Sequence, residues 1–196
     1  VKMLRESSRS LLPASLVREA KAMARLTHPN VVAVFDVGVC ERGVYVAMEL
    51  VEGVTLRAWL KEQARPWREV LEVFVQAGRG LAAAHEAGLV HHDFKPDNVL
   101  IGARARAMVS DFGLARVHQA TGADLSGEIS DAGATRRGSG SGSEISSTVA
   151  SSRGPVGTLA YMAPERLMLR PSDARSDQFS FCVALYEGVY GRRPFV

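Results

Sequence analysis

Runs of apolar residues change their spacing along the chain, and the spacing predicts the element in each part. Residues 14–26 carry apolar side chains at helical spacing, which predicts an amphipathic helix. The β-rich runs 31–39 and 44–51 flank a short turn that contains Gly43, so they predict a hairpin. The chain is therefore expected to begin with a helix followed by a strand pair.

Residues 67–85 have the clearest helical pattern, with Pro66 before them and Gly88 after them as start and stop signals. The positions predicted to share one face are Trp67, Val70, Leu71, Phe74, Val75, Gly78, Leu81, Ala82 and His85. Residues 176–191 are mostly apolar, and they predict a second, buried helix.

Between these helices the character of the chain changes twice. The short runs 99–101 and 107–109 predict a small second hairpin. Of the 33 residues in 121–153, 22 are Ser, Gly, Thr or Ala. This composition cannot bury enough apolar surface to offset the entropy of ordering, so it predicts a disordered segment. Spacing and composition together indicate an α+β fold class.

Bulk composition excludes several classes of protein. A chain of 196 residues with 46% apolar and 23% charged residues is globular and can bury a sizeable core. The net charge of +3 is spread along the chain rather than gathered in a stripe, so no nucleic-acid partner is expected. Cys40 and Cys182 lack metal-ligand spacing, which favours a reduced, cytoplasmic setting. No apolar run is long enough for a membrane segment within this chain.

Three motifs carry the chemistry: LVHHDFKPDNVLI (89–101), VSDFGLA (109–115) and GTLAYMAPE (157–165). Together, and in this order, they resemble the signature set of protein kinases. The matching residues are Asp93, Lys95 and Asn98 in the first motif, Asp111, Phe112 and Gly113 in the second, and Ala163, Pro164 and Glu165 in the third. The resemblance extends through the whole chain.

The resemblance implies a two-lobed protein-kinase-like fold of the α+β class. It also implies a Ser/Thr protein kinase, which transfers the γ-phosphate of ATP to Ser or Thr hydroxyls of protein substrates with the help of Mg²⁺ or Mn²⁺. Residues 1–50 would be part of the small lobe and residues 51–196 part of the large lobe, with 121–153 as an insert in the activation loop. In its style the sequence resembles bacterial kinases of the eukaryotic-like type.

The resemblance assigns roles to four polar residues. Asp93 resembles the catalytic-loop residue that accepts or orients the proton of the substrate hydroxyl, and Lys95 the residue that steadies the γ-phosphate. Lys95 and Pro96 favour Ser/Thr over Tyr substrates. Asn98 and Asp111 offer hard oxygen donors, which suit Mg²⁺. Outside these motifs, Asp93 would be a turn residue and Lys95 a solvated surface charge.

The nucleotide site follows from the same resemblance. Lys2 resembles the strand lysine that binds the α- and β-phosphates, and Glu19 resembles its partner on the following helix. The alternative for Glu19 is an exposed charge on that helix. The residues that resemble the gatekeeper, the hinge and the floor of the adenine pocket are Met48, Glu49, Val51 and Leu100. Met48 and Leu100 are also ordinary core residues by pattern.

Other positions resemble supporting parts of the family. Thr158 matches the substrate-docking loop, and Asp177 the buried carboxylate that holds the catalytic loop from below. The plain alternative for Asp177 is a charge that stabilises a helix N-terminus. The positions that match the regulatory spine, and that are ordinary core residues by pattern, are Met23, Val34, His91 and Phe112.

The chain departs from the family pattern in three places. It lacks the Gly-rich loop and the end of the large lobe, so we expect a domain truncated at both ends, with the usual Arg partner of Glu165 beyond residue 196. His92 replaces the Arg of His-Arg-Asp, and one imidazole is a poorer phosphate clamp than a guanidinium. We therefore expect weak dependence on loop phosphorylation, for which the candidate sites are Thr148, Ser151 and Ser152.

Other functions stay open at this point. A pseudokinase that scaffolds partners would bind without transferring phosphate, but Lys2, Asp93, Asn98 and Asp111 are all intact. A small-molecule phosphotransferase of related fold would lack the docking segment at 157–165. A fragment without the phosphate-covering loop would be nearly inactive by itself. Phosphate transfer to a protein acceptor distinguishes the active kinase from all three.

Overall fold

The computed structural model describes residues 2–5, 23–40, 43–112 and 159–195. Its first sheet has three antiparallel strands, in the order β1, β3, β2: β1 (Lys2–Arg5), β2 (Val34–Cys40) and β3 (Gly43–Met48). The hairpin predicted for this region is therefore confirmed. An irregularity between Val34 and Asp36 shifts the β2–β3 register by one residue.

Four helices and a second small sheet make up the remainder of the described chain. The helices are α1 (Leu56–Glu62), α2 (Trp67–Glu86), α3 (Pro164–Leu167) and α4 (Ala174–Tyr190). The antiparallel strands are β4 (Val54–Thr55), β5 (Val99–Ile101) and β6 (Ala107–Val109), with β5 in the middle. Short 3-10 turns occupy Pro96–Asn98 and Ala103–Ala105. The predicted hairpin of β5 and β6 is confirmed.

Helix α2 forms where the pattern predicts it, but only part of the predicted face is buried, including Val70, Phe74 and Leu81. The side that packs against β6 and α4 is formed by Val70, Val73, Phe74, Ala77, Leu81 and Ala84. Trp67, Leu71 and Val75 belong to the predicted common face, yet they are 52%, 39% and 43% exposed. The apolar surface of the helix is broader than the side that faces the core, so part of it remains exposed. Phe74 marks that side, since a Cβ on Gly188 of α4 would lie only 2.8 Å from its ring.

Helix α4 is confirmed, although it is less buried than its sequence suggests. Asp173 caps its N-terminus by accepting a hydrogen bond from the backbone N–H of Arg175 at 2.8 Å. Gly191 ends it with a φ of 69°, a left-handed conformation that glycine adopts without steric cost. Its buried face consists mainly of Ser176, Asp177, Ser180, Val183 and Ala184, whereas Cys182 and Tyr190 are exposed.

A short crossing joins the first sheet to the second. Val31 forms a parallel bridge with Val109, and the backbone N–H of Val32 donates to the carbonyl of Val109 at 2.9 Å. The neighbouring carbonyl of Asn30 accepts from the N–H of Val109, also at 2.9 Å. Helix α2 passes so close that a Cβ on Gly80 would lie 2.3 Å from this carbonyl. The segment around residue 30 is thus fixed against α2 and the second sheet.

Several predictions concern residues that the structure does not describe. The helix over 14–26 lies outside the described residues except for its end, where Met23 is buried and accepts a hydrogen bond from the N–H of Leu26. The segment 121–153 lies wholly outside them. Within the described ranges, no helix has both the length and the apolarity to cross a bilayer.

Candidate active site

The loop after α2 is anchored from beneath by Asp177 of α4. One carboxylate oxygen, Oδ1, accepts the backbone N–H of His92 at 2.8 Å, and Oδ2 accepts the N–H of His91 at 2.7 Å. The ring nitrogen Nε2 of His85 on α2 also reaches Oδ2, at 2.8 Å. Asp177 is 1% exposed, so its charge is compensated almost entirely by these donors. The expected position of Asp177 below the catalytic loop is therefore confirmed.

His91 joins this loop to the segment after β6. Its Nδ1 accepts the backbone N–H of Asp93 at 3.2 Å, and its Nε2 lies 2.9 Å from the carbonyl oxygen of Ser110. An acceptor at Nδ1 and a donor at Nε2 describe a neutral ring. Complete burial lowers the pKa of His91, in agreement with that hydrogen-bond pattern. Its ring also lies against Phe112, with centroids 4.7 Å apart.

The backbone is constrained on both sides of the site. His92 and Asp111 have φ angles of 65° and 63°, in the left-handed region that residues with a Cβ seldom adopt. Such conformations persist where surrounding contacts impose them, as Asp177 does at His92. The side chain of His92 is engaged as well, since its Nδ1 lies 3.1 Å from the hydroxyl of Ser172.

Three of the predicted catalytic residues lie together. The ammonium of Lys95 is 2.7 Å from Oδ2 of Asp93. The amide nitrogen of Asn98 donates to the carbonyl of Asp93 at 2.7 Å and to its Oδ2 at 3.1 Å. Because these bonds occupy the side-chain nitrogen of Asn98, its side-chain oxygen Oδ1 is left for another partner. The backbone N–H of Ser110 donates to the backbone carbonyl of Asn98 at 2.9 Å, which brings Asp111 alongside.

This donor set fits a divalent metal ion that is bound together with a nucleotide. Asn98 and Asp111 supply an amide oxygen and a carboxylate, both hard ligands. Across the described ranges, no group of three or more His, Cys, Asp or Glu side chains could hold a metal by itself. Mg²⁺ typically uses one or two protein ligands and completes its shell with phosphate oxygens and water.

The structure describes the nucleotide-contacting candidates unevenly. Lys2 pairs through its backbone with Val46, but its side chain and all of Glu19 lie outside the described part. Met48 ends β3, and the N–H of Glu49 donates to the carbonyl of Ala33 at 2.8 Å. Val51 and Leu100 are half-buried; Leu100 lies on the central strand of the second sheet, and Val51 lies close to Gly102 just after that strand.

The segment around the third motif is only partly described. Thr158 and the candidate phosphorylation sites Thr148, Ser151 and Ser152 lie outside the described residues. Glu165, whose usual partner was expected beyond residue 196, accepts a short hydrogen bond from the hydroxyl of Ser176 on α4. This bond lowers the pKa of Glu165. The motif is thus attached to the same helix that carries Asp177.

Sequence reasoning missed the supporting roles of His85, Ser172 and Ser176. His85 was placed only on a helix face, although its ring nitrogen contacts a carboxylate 92 positions away. Ser172 and Ser176 belong to the approach and first turn of α4, where serine is an ordinary residue. The only available signal for His85 was a polar residue within an otherwise apolar stripe.

Comparison with known proteins agrees with this geometry. A family model described as the protein kinase domain matches residues 1–196. The serine/threonine-protein kinase PknL of Mycobacterium tuberculosis is 38% identical over 178 residues, which cover 90% of this chain and 38% of PknL. PknA from the same species is 34% identical over 183 residues, covering 90% of this chain and 36% of PknA. A probable serine/threonine-protein kinase of Clostridium perfringens is 34% identical over 179 residues, and this chain spans 22% of its length.

Solved structures give the same fold. The crystal structure of the Mycobacterium tuberculosis PknI kinase domain superimposes with a TM-score of 0.65 at 23% identity, covering 92% of this chain and 58% of that one. The family model covers the whole sequence, and the second part of the fold holds Asp93, Lys95 and Asn98 together. The chain therefore belongs to the protein kinase family.

Proposed function

We propose that the full-length protein is an ATP-dependent protein serine/threonine kinase, which transfers the γ-phosphate of ATP to Ser or Thr hydroxyls of other proteins. The observation that carries this proposal is the cluster of Asp93, Lys95 and Asn98, held next to Asp111 by the bond from Ser110 to Asn98. Transfer of a phosphoryl group depends chiefly on positioning and charge neutralisation, and this cluster supplies both.

Asp93 is suited to receive the acceptor hydroxyl. Lys95 and Asn98 both bond to its Oδ2, which leaves Oδ1 to accept the hydroxyl proton. As the hydroxyl oxygen bonds to the γ-phosphorus, the bond from phosphorus to the β-phosphate oxygen breaks and ADP leaves. Lys95 remains beside the reacting centre as a positive charge. A bound Mg²⁺ or Mn²⁺ would neutralise phosphate charge, held by Asn98 and Asp111.

The nucleotide would bind between the two sheets. In this proposal Lys2 and Glu19 hold the phosphates, the backbone of Glu49 and Val51 contacts the adenine edge, and Met48 and Leu100 line the pocket. Residues 1–50 then belong to the small lobe and residues 51–196 to the large lobe. The geometry that supports this is the bridge between Val31 and Val109, which joins the segment before β2 to β6 of the second sheet.

We further propose a cytoplasmic location for this domain, with protein substrates that dock near Thr158. Serine/threonine specificity is supported by Lys95, whose ammonium lies 2.7 Å from the proposed proton acceptor. The names of the related PknL and PknA kinases support the same specificity. A pseudokinase scaffold, the main competing function, would have no use for a lysine and an asparagine both bonded to Asp93.

Two variants of the full-length protein test the assigned roles. Asp93→Asn should lower the turnover of phosphate transfer strongly and spare binding of Mg-ATP, because Asp93 acts on the acceptor. Asp111→Asn should weaken Mg-dependent nucleotide binding, because Asp111 acts through the metal. Glu62→Gln, on an exposed side chain of α1, is the matched control. The opposite pattern in Mg-ATP titrations and transfer assays would contradict these roles.

A further inference from the structure

Arg57 on α1 bonds simultaneously to two segments that are distant in sequence. Its Nε lies 2.8 Å from both carboxylate oxygens of Asp97, and its Nη2 donates to the hydroxyl of Tyr161 at 2.7 Å. Tyr161 in turn donates a short hydrogen bond to Glu187 of α4. Arg193, just after α4, reaches the other oxygen of Glu187 at 3.3 Å. We call these five residues the Arg57 cluster.

The charges within the Arg57 cluster balance. Two arginines face two carboxylates, and the only neutral member, Tyr161, is 2% exposed. Burial and the hydrogen bond with Glu187 raise the pKa of Tyr161, so its hydroxyl stays protonated. Burial acts to lower the pKa of Arg57, but its bonds to Tyr161 and Asp97 outweigh burial and raise it. The cluster is therefore a fixed hydrogen-bonded support.

The place of Asp97 gives this support a consequence for chemistry. Asp97 lies in the 3-10 turn Pro96–Asn98, between Lys95 and the proposed metal ligand Asn98. Asp177 anchors the earlier half of the same loop, at the backbone of His91 and His92. Arg57 holds the later half through its Nε–H, whose charge-assisted hydrogen bond is shared between both oxygens of the Asp97 carboxylate.

The other end of Arg57 meets the segment that precedes the Ala163-Pro164-Glu165 motif. Tyr161 is two residues before Ala163, and both are buried. The guanidinium groups of Arg57 and Arg193 lie 5.6 and 5.3 Å from the centroid of the Tyr161 ring. One guanidinium thus sets the distance between the catalytic loop and the segment where a protein acceptor is proposed to dock.

We propose that Arg57 is a positioning residue, which aligns the docked protein acceptor with the catalytic loop through Asp97 and Tyr161. The proposal rests on the kinase function proposed above. A positioning role of this kind affects phosphate transfer to a protein and hydrolysis of ATP differently, because a protein acceptor needs the docking segment, whereas water as acceptor does not. Lys95 and Asn98 keep their own bonds to Asp93 when Arg57 is lost, so ATP hydrolysis should be largely retained. Misplacement of the protein acceptor by about 1 Å can slow transfer roughly 100-fold, so protein phosphorylation should fall far more than ATP hydrolysis.

The test compares two rates in the full-length protein: phosphate transfer to dephosphorylated casein, and release of inorganic phosphate from ATP without casein. In Arg57→Met we expect kcat for transfer to fall about 10- to 100-fold, with the KM for ATP within about twofold of wild type. Arg57→Lys should not rescue transfer, because one ammonium nitrogen cannot take the places of both Nε, which contacts Asp97, and Nη2, which contacts Tyr161.

A double-mutant cycle and a matched arginine distinguish positioning from plain stability. Tyr161→Phe removes only the hydroxyl, and its effect on kcat should be non-additive with that of Arg57→Met. The matched arginine is Arg65, between α1 and α2, which pairs with Glu62 and Glu69 at 3.0 and 2.9 Å. Any loss in Arg65→Met should lower both rates equally, so the ratio of transfer to hydrolysis should stay at the wild-type value.

The outcomes separate the two proposals. A fall of about tenfold or more in the transfer-to-hydrolysis ratio, confined to the Arg57 and Tyr161 variants, supports the positioning role. An unchanged ratio in Arg57→Met, or full transfer by Arg57→Lys, overturns that role while leaving the kinase function intact. Absence of transfer by the wild-type protein overturns the kinase function itself, and the positioning role falls with it.

Discussion

Asp177 is the side chain whose loss should most disturb the catalytic loop. Its carboxylate accepts three hydrogen bonds at 2.7–2.8 Å, from the N–H groups of His91 and His92 and from the ring of His85. In Asp177→Asn the shape is kept, but the amide NH₂ must face at least one of these donors. The variant therefore loses one hydrogen-bond acceptor, and its amide NH₂ faces an N–H donor with which it cannot bond.

The size of the effect follows from these contacts. A hydrogen bond to a charged group contributes about 1.5–3 kcal/mol, and a buried donor left unsatisfied costs about 1–3 kcal/mol. We expect Asp177→Asn to lower the free energy of opening the loop by about 3 kcal/mol, since the lost charge and the opposed donor act together. The left-handed backbone of His92 adds to the effect, because its constraint is released. A loss of this size shifts the opening equilibrium by about 100-fold.

Hydrogen exchange in the full-length protein measures this directly at the amides of His91 and His92. We expect exchange there to accelerate about 100-fold in Asp177→Asn and about 10-fold in His85→Phe, which removes one of the three bonds and keeps the carboxylate. Exchange in Asp177→Asn within about threefold of wild type would contradict the anchoring role of Asp177, because it corresponds to less than about 1 kcal/mol. A larger effect in His85→Phe than in Asp177→Asn would refute it equally.

Two further predictions concern the paired histidines of the loop. Because the folded protein lowers the pKa of His91, its unfolded form takes up a proton first as the pH falls below the ordinary histidine value of about 6.5. The stability that His91 contributes is complete above that pH, and below it the free energy of unfolding declines by at most about 1.4 kcal/mol per pH unit. The urea midpoint of unfolding should therefore fall as the pH is lowered, and it should fall less steeply in His91→Asn. The second prediction concerns His92, whose Nδ1 contacts Ser172 and whose imidazole is a poor phosphate clamp. A triple variant with Ala at the candidate phosphorylation sites Thr148, Ser151 and Ser152 should therefore keep most kinase activity. His92→Arg should make kinase activity newly sensitive to phosphatase treatment. A triple variant that stays folded but loses about 100-fold in activity would contradict this, because that loss is about 2.7 kcal/mol, the size expected for a full charge-assisted phosphate contact.

The catalytic loop could be predicted from sequence because its members are close in the chain. Asp93, Lys95 and Asn98 lie within six positions, and a short strand pair brings Asp111 to them. Residues that act across long separations left no local pattern. Arg57 meets Tyr161 over 104 positions, and His85 meets Asp177 over 92. Only the resemblance to kinases pointed to Asp177.

The fold was predicted least well where local pattern is weak. Helix α1 spans only Leu56–Glu62 and follows a strand of two residues, which is too short for a periodic signal. Its N-terminus is capped by Thr55, whose hydroxyl accepts from the N–H of Ala58 at 3.2 Å. On α2 the helix was predicted but not its orientation, because Trp67, Leu71 and Val75 extend the apolar surface beyond the face that α4 covers.

Identification of the reaction product tests the proposed kinase function. The full-length protein is incubated with ATP labelled at the γ-phosphate, Mg²⁺ and a protein acceptor, and the acceptor is then hydrolysed to its amino acids. We expect label on phosphoserine and phosphothreonine with the wild-type protein, and almost none with Asp93→Asn. Binding of Mg-ATP without any labelled phosphoamino acid, or label on phosphotyrosine alone, would contradict the proposed function.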